Sequence, residues 1–142
     1  MIAKQVSVFL ENRSGRLKEV TSILSSGKIN ISAFTIADTS EFGVLRLMVS
    51  DPEKAVELLK ENLFSARLTD VVLIKSPNIP GSLDYLLEVL DEEGVFIEYM
   101  YAFSVGNKKA VIVIRPTETE KCIGVLNKYR IELISKEHMY EL

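Results

Sequence analysis

Two short segments of the chain, Glu11-Asn12-Arg13-Ser14-Gly15-Arg16-Leu17 and Pro77-Asn78-Ile79-Pro80-Gly81-Ser82-Leu83, share the spacing Asn-x-x-Gly-x-Leu. Each lies between an alternating apolar stretch and a stretch of helical spacing, and such a junction has a chemical use. Glycine lets the backbone approach a bound molecule closely, and a helix starting there turns free amides and the positive end of its dipole towards an anion. Asn12 or Asn78 adds a directional amide, while Arg13 and Arg16 add positive charge. The pattern therefore fits a small carboxylate-bearing molecule held at the amides of Gly15 or Gly81. The same residues also build an ordinary tight turn, because Gly, Asn, Pro and Ser are common in turns on conformational grounds alone. Recurrence of the motif at two places favours the binding reading.

Other reactive side chains are few. The single cysteine, Cys122, sits beside Ile123 and near Leu126 in a helical pattern and reads as a core thiol. The single histidine, His138, falls in the polar segment SKEHMYEL and reads as part of a solvated tail. One cysteine and one histidine exclude an internal disulfide and leave too few soft ligands for a structural metal site. Glu92 and Glu93 precede Gly94 at a helix end and read as a solvated face, and Tyr99, Tyr101 and Phe103 alternate along one strand as packing, interface or ring-contact residues. No G-x-G-x-x-G fingerprint and no phosphate loop ending in Lys-Ser or Lys-Thr is present. The expectation is a protein without catalytic residues, metal or cofactor.

Composition agrees with a globular chain. Hydrophobic residues make up 47% and charged residues 26%, which is too apolar for disorder, and no apolar run approaches a membrane span. The opening Met1-Ile2-Ala3-Lys4-Gln5 runs directly into a strand pattern with no secretory signal, so a cytoplasmic location and no membrane partner are expected. A net charge of -3 argues against broad nucleic-acid binding, which requires a basic surface.

The elements that must position the two turns repeat with them. A shift of 66 residues brings Val6 to Leu10 onto Val72 to Ser76, Asn12 onto Asn78, Gly15 onto Gly81, Leu17 onto Leu83, Leu24 onto Leu90 and Ile31 onto Ile97. The same shift sets Gly43 on Lys109. In the first copy, Val6, Val8 and Leu10 read as a half-buried strand, and Leu17, Val20, Ile23 and Leu24 as a helix ending at Gly27. Ile29 to Ala37 and Val44 to Val49 form a hairpin, and Asp51-Pro52 opens a second helix as N-cap and first-turn proline. The second copy reads as a helix from Leu83 to Leu90, strands at Val95 to Phe103 and Ala110 to Ile114, a capping box from Thr117 to Glu120, and a last strand at Ile131 to Ile134. Ala66 to Ile74 must close the first copy and open the second with no turn between, by one long strand or by exchange of edge strands.

Asn78-Ile79-Pro80-Gly81-Ser82-Leu83, and Gly27-Lys28-Ile29-Asn30-Ile31 closing the first helix, make the chain resemble the ACT domain family. That family's signature is an acidic or amide residue, Pro-Gly, a leucine, an amphipathic helix and a strand of the Ile-Asn-Ile kind. The resemblance covers both halves. It departs in the first copy, where Ser14 stands in place of proline, and in the second, where Val95-Phe96-Ile97 replaces the Ile-Asn-Ile strand. The resemblance implies an α+β fold: a ferredoxin-like βαββαβ unit repeated at residues 1–70 and 71–142, with the boundary strand near 66–75 either divided or shared between them. The two units would pair side by side into a combined antiparallel sheet with helices on one face. It also implies a regulatory protein that senses a free amino acid between the repeats and acts on a metabolic enzyme, as a homodimer or alone. The contacts would come from Asn12, Arg13, Ser14, Gly15 and Leu17, from Asn78, Ile79, Pro80, Gly81 and Leu83, and from facing strands at Ile31, Ser32 and Ala33 and at Ile97 and Tyr99.

Three other functions share this element order. A ligand-free pairing module would use the sheet edges alone. RNA-binding βαββαβ domains need basic and aromatic central strands, and Val6 to Leu10 and Val44 to Val49 are mainly aliphatic. An enzyme on the same fold would need a catalytic constellation, which the residues do not supply.

Overall fold

The computed structural model describes residues 2–11, 13–38 and 41–139. In chain order the elements are β1 (Ile2–Glu11), α1 (Arg16–Ser26), β2 (Ile31–Asp38), β3 (Phe42–Val49), α2 (Pro52–Glu61), β4 (Ser65–Pro77), α3 (Ser82–Glu92), β5 (Ile97–Gly106), β6 (Lys109–Pro116), α4 (Thr119–Lys128) and the short α5 (Lys136–Met139). The strand order is β2-β3-β1-β4-β6-β5, and the strand pairs β1 with β3, β2 with β3, β4 with β6 and β5 with β6 are all antiparallel. Two compact units divide this chain, one spanning Lys4–Thr69, the other running from Asp70 onward and including the first residues of the chain.

In the unit spanning Lys4–Thr69, alternation along β1 sends Val6, Val8 and Leu10 into a core with Leu45, Leu47 and Val49 of β3. Register pairs Val6 with Leu47 and Val8 with Leu45, so directly opposed residues share that face. Val20 and Leu24 of α1 and Ala55, Val56 and Leu59 of α2 cover it at the spacing of one helical stripe. Asp51 caps α2, its carboxylate accepting the Lys54 N–H at 3.2 Å, with Pro52 in the first turn. Gly27 closes α1, where an added Cβ would meet the end of the Leu58 side chain and require Leu58 Cδ1 to shift. The segment expected to extend as a strand from Ile29 instead begins as strand at Ile31. Ile29 is buried, and its N–H bonds to Leu24 O at 2.9 Å, completing the helix end.

The second unit repeats the plan: Val72 and Ile74 of β4, Ile112 and Ile114 of β6, Leu86, Val89 and Leu90 of α3, and Cys122, Val125 and Leu126 of α4. Lys54 Nζ donates to Gly27 O at 2.9 Å and Lys121 Nζ to Gly94 O at 3.0 Å, so in each unit a lysine of the second helix satisfies a carbonyl at the end of the first.

Four further expectations are corrected. The shift of 66 holds only to the hairpin; thereafter it is 67, since Val6 faces Leu47 while Val72 faces Ile114, and Gly43 falls on Ala110, not Lys109. The extra residue lies in the β5–β6 hairpin, whose turn at Gly106, Asn107 and Lys108 has positive φ throughout. No capping box forms at Thr117: the N-cap is Glu118, without a side-chain cap bond, and Thr117 Oγ1 faces Phe96 O at 3.5 Å. Ile131 to Ile134 makes one bridge, Leu133 with Ile74, flanked by bonds from Lys75 N to Glu132 O and from Ile134 N to Leu73 O, both 2.9 Å. Within SKEHMYEL, the described part coils into α5, which buries Met139 at 2% exposure and leaves Glu137 and His138 exposed, so the segment is anchored by one side chain with His138 on its solvated side. The stretch Ala66 to Ile74, left open between two arrangements, belongs to one 13-residue strand, β4.

Candidate functional site

Both Asn-x-x-Gly-x-Leu segments fold into the same turn. Gly15 has φ 86 and ψ -11, Gly81 φ 91 and ψ -16, each just ahead of the first helical residue. Arg16 N donates to Arg13 O at 3.4 Å and Ser82 N to Ile79 O at 3.3 Å, and Glu19 N and Tyr85 N each bond to the glycine carbonyl at 3.0 Å. An added Cβ at either glycine meets nothing within 4 Å. Positive φ is therefore the local reason for glycine, and the space beside it is left free.

In the second unit that space opens into a cleft of about 630 Å³, lined by strand residues Ile74 to Pro77, by Pro80, Gly81 and Ser82 of the turn, and by Tyr85 and Leu86 of α3. Lys109 from the start of β6 and Arg130, Ile131 and Glu132 from the turn after α4 complete it. Three cationic residues thus meet one carboxylate in a chain whose net charge is -3. Lys75 Nζ and Glu132 Oε1 are 3.9 Å apart, close enough to interact without neutralising the other two cations. With the start of α3 bordering the same space, the cleft carries a local positive potential above an apolar floor of Ile74, Leu86 and Ile131, an environment suited to an anionic group attached to an apolar body.

Of the expected contact residues, Pro80 and Gly81 line this cleft. Asn78 is tied to the hairpin, its N–H to Lys108 O at 2.7 Å and its Nδ2 towards Ser104 Oγ at 3.4 Å. Ile79 and Leu83 are exposed on the turn and first helical turn. Ile97 packs against the second core and borders a separate depression along α3. Tyr99 is half-buried on β5 opposite Arg115. In the first unit, Arg13 forms an exposed ion pair with Glu11 at 3.2 Å, and Ser14, Gly15 and Leu17 are exposed. Ile31 and Ser32 are half-buried and Ala33 buried in β2. Asn12 lies outside the described residues. Arg16 does not face solvent: its guanidinium lies 4.1 Å from the centre of the Phe64 ring and bonds to Glu19 at 2.8 Å.

Sequence reasoning missed Lys75, Ser76, Ser82, Tyr85, Lys109, Arg130 and Glu132 as cleft residues. Ser82 and Tyr85 stood inside or just beyond the motif and were within reach of it. Lys109, Arg130 and Glu132 are brought there only by strand pairing and by the return of the chain beside β4.

The remaining candidates are occupied structurally. Cys122 is buried, and burial pushes its thiol up to about 11, the opposite of an activated nucleophile. His138 Nδ1 lies 2.7 Å from Ser135 Oγ at the start of α5. Glu93 is no free carboxylate: it accepts from Lys128 Nζ and from Tyr129 OH, each at 2.8 Å, and the Lys128 hydrogen bond, followed by that of Tyr129, holds its carboxyl below the usual value. Among the described residues no group of three or more His, Cys, Asp or Glu side chains could hold a metal ion, and no helix is long and apolar enough to cross a membrane.

The ACT domain pair family model matches residues 1–142. The crystal structure of protein BT0572 from Bacteroides thetaiotaomicron is similar over 100% of this chain and 98% of that one, with 51% sequence identity and a TM-score of 0.95. The ligand-free regulatory subunit of aspartate kinase from Thermus thermophilus shares the fold at 14% identity, with a TM-score of 0.64 over 90% of this chain and 96% of that one. Its counterpart from Thermus flavus gives 16% identity and 0.61, over 89% and 95%. No curated protein matches the chain.

Proposed function

We propose that this chain, which belongs to the ACT domain pair family, is a regulatory protein that binds a free amino acid or a similar small carboxylate in the cleft of its second unit and catalyses no reaction itself. The observation that carries the reading is the meeting of Lys75, Lys109 and Arg130 with the Gly81 turn around an apolar-floored cleft. An amino acid's carboxylate is the group such a potential recognises, and Glu132 offers an acceptor for its ammonium. The fold-level likeness to regulatory subunits of aspartate kinase supports a metabolic enzyme as the partner that receives the signal. The inert state of Cys122 supports the absence of covalent catalysis.

A thermal-shift screen against the twenty amino acids tests the proposal. A ligand at a hundred times its Kd stabilises the native state by about 2.7 kcal/mol, which in a chain of this size raises Tm by roughly 5–10 °C. One or two selective shifts, lost on Arg130→Ala or Lys109→Ala, are the expected result. A flat response confirmed by calorimetry at millimolar ligand refutes amino-acid sensing and leaves a ligand-free pairing module as the better account.

A further inference from the structure

Because the two units repeat one fold, residues around the second unit's cleft have counterparts in the first. The matching helix starts set Ser82 on Arg16, Tyr85 on Glu19 and Leu86 on Val20. After α2 and α4 the same backbone bonds recur, Leu63 N to Lys60 O and Phe64 N to Leu59 O in one unit, Arg130 N to Asn127 O and Ile131 N to Leu126 O in the other. Leu63 therefore corresponds to Arg130 and Phe64 to Ile131.

The residues at these positions differ in one consistent way. In the second unit a short serine begins α3, and Ser82, Tyr85 and Ile131 are all walls of open space. In the first unit the Arg16 side chain, 17% exposed, crosses from the helix start to the ring of Phe64 and is held there by Glu19. A planar cation stacked on an aromatic face and gripped by a carboxylate is fixed on two sides. Arg16 Nε is buried and has no hydrogen-bond partner, as expected of a side chain placed by packing and by its terminal group. The cations of the open cleft are also missing from the first unit, where Phe9, Phe42 and Leu63 stand at the positions of Lys75, Lys109 and Arg130.

We infer that Arg16 plugs the first unit's counterpart of the cleft, so that the chain has one open binding position and one closed by its own side chain. The inference rests on reading the cleft as a ligand site, but its decisive test needs no natural ligand. Arg16→Ala removes from the side chain the equivalent of N-ethylguanidine, so N-ethylguanidinium chloride should refill the vacated space. The expected result is that the millimolar salt raises the Tm of Arg16→Ala by a few degrees and leaves the wild type unmoved, while N-ethylurea, of similar shape but uncharged, fails. Where Arg16→Ala folds poorly, Arg16→Ser, the residue that the second unit carries, serves in its place. Equal shifts in variant and wild type, or none in either, overturn the plug whether or not an amino acid binds.

Calorimetry with whichever amino acid shifts the wild type separates the two readings. One molecule per chain, abolished by Ser82→Arg, is expected. Two per chain overturn the plug and leave amino-acid sensing intact. No binding at all removes amino-acid sensing and leaves N-ethylguanidinium to decide the plug alone.

Discussion

Replacing Gly81 by alanine separates backbone strain from every other role of the turn, because the new methyl group meets nothing within 4 Å while the residue must keep φ near 91. A non-glycine residue in a left-handed conformation costs about 1–2 kcal/mol. Against this, alanine restricts the unfolded chain and returns about 0.4–1 kcal/mol, so the net loss is about 1 kcal/mol. In urea, with a slope of about 1–3 kcal/mol/M, the midpoint falls by roughly 0.3–1 M, and Tm falls by about 2–4 °C. Gly15→Ala, with φ 86 and the same empty surroundings, loses the same amount. Asparagine, which tolerates the left-handed region, loses less than alanine at either site. An unchanged midpoint for Gly81→Ala refutes the claim that φ is the local reason for glycine. A loss above about 3 kcal/mol, beyond what strain supplies, shows that the methyl group collides with something the geometry excludes.

Gly27→Ala acts by the opposite mechanism. Its φ of -82 is ordinary, and the new Cβ meets only the movable end of the Leu58 side chain, so the shift of Leu58 is offset by the return of about 0.4–1 kcal/mol that alanine gives by restricting the unfolded chain, and the urea midpoint moves less than it does for Gly81→Ala. Asp51→Ala removes the cap bond to Lys54 N and costs about 1 kcal/mol, whereas Glu118→Ala, at a start with no side-chain cap bond, costs less than half as much by the same measurement. The Glu93 cluster gives the pH dependence. Glu93 is held below its ordinary 4.5, first by the Lys128 hydrogen bond, so its contribution is full above that value and lost as pH falls through the lower folded one. Tyr129 is raised above 10.0, chiefly by its bond to Glu93, so its contribution is present below 10.0 and lost as pH rises through the higher folded value. Urea midpoints measured across pH show both limbs in the wild type, and Glu93→Gln flattens the acid one.

Much of the fold was legible because its signals are local. Alternation in Val6, Val8 and Leu10, the helical spacing of Leu17 to Leu24, and Asp51-Pro52 each state an element within a few residues, and their repetition states the architecture. The extra residue in the β5–β6 hairpin escaped because a turn insertion leaves the alternation of both flanking strands intact, and a weak repeat aligns almost as well at 66 as at 67. Thr117 and Glu120 satisfy the spacing of a capping box, but Thr117 lies beside Phe96 O, a contact visible only once β5 and β6 pair. Of the cleft's lining only the turn was legible. Gly81 and Pro80 were signalled by the turn; Lys109, Arg130 and Glu132 carry no local mark of convergence. Arg16 was legible as a charge and not as a destination, since nothing near it in sequence indicates that its side chain ends on Phe64.

The 13-residue β4 has a consequence for how the two copies can change. Ala66 and Leu68 serve the first core and Val72 and Ile74 the second, all at even positions of one uninterrupted strand. A strand alternates faces in steps of two, and Val71 and Leu73, opposite in face to Val72 and Ile74, are buried as well, so a polar side chain at any of these four positions would be buried and costly. Duplicated domains joined by a loose linker tolerate drift in the spacer. Here the join is no spacer: the strand that leaves the first core supplies Val72 and Ile74 to the second, so its residues are held by packing while positions such as Arg16 and Ser82 differ between the copies.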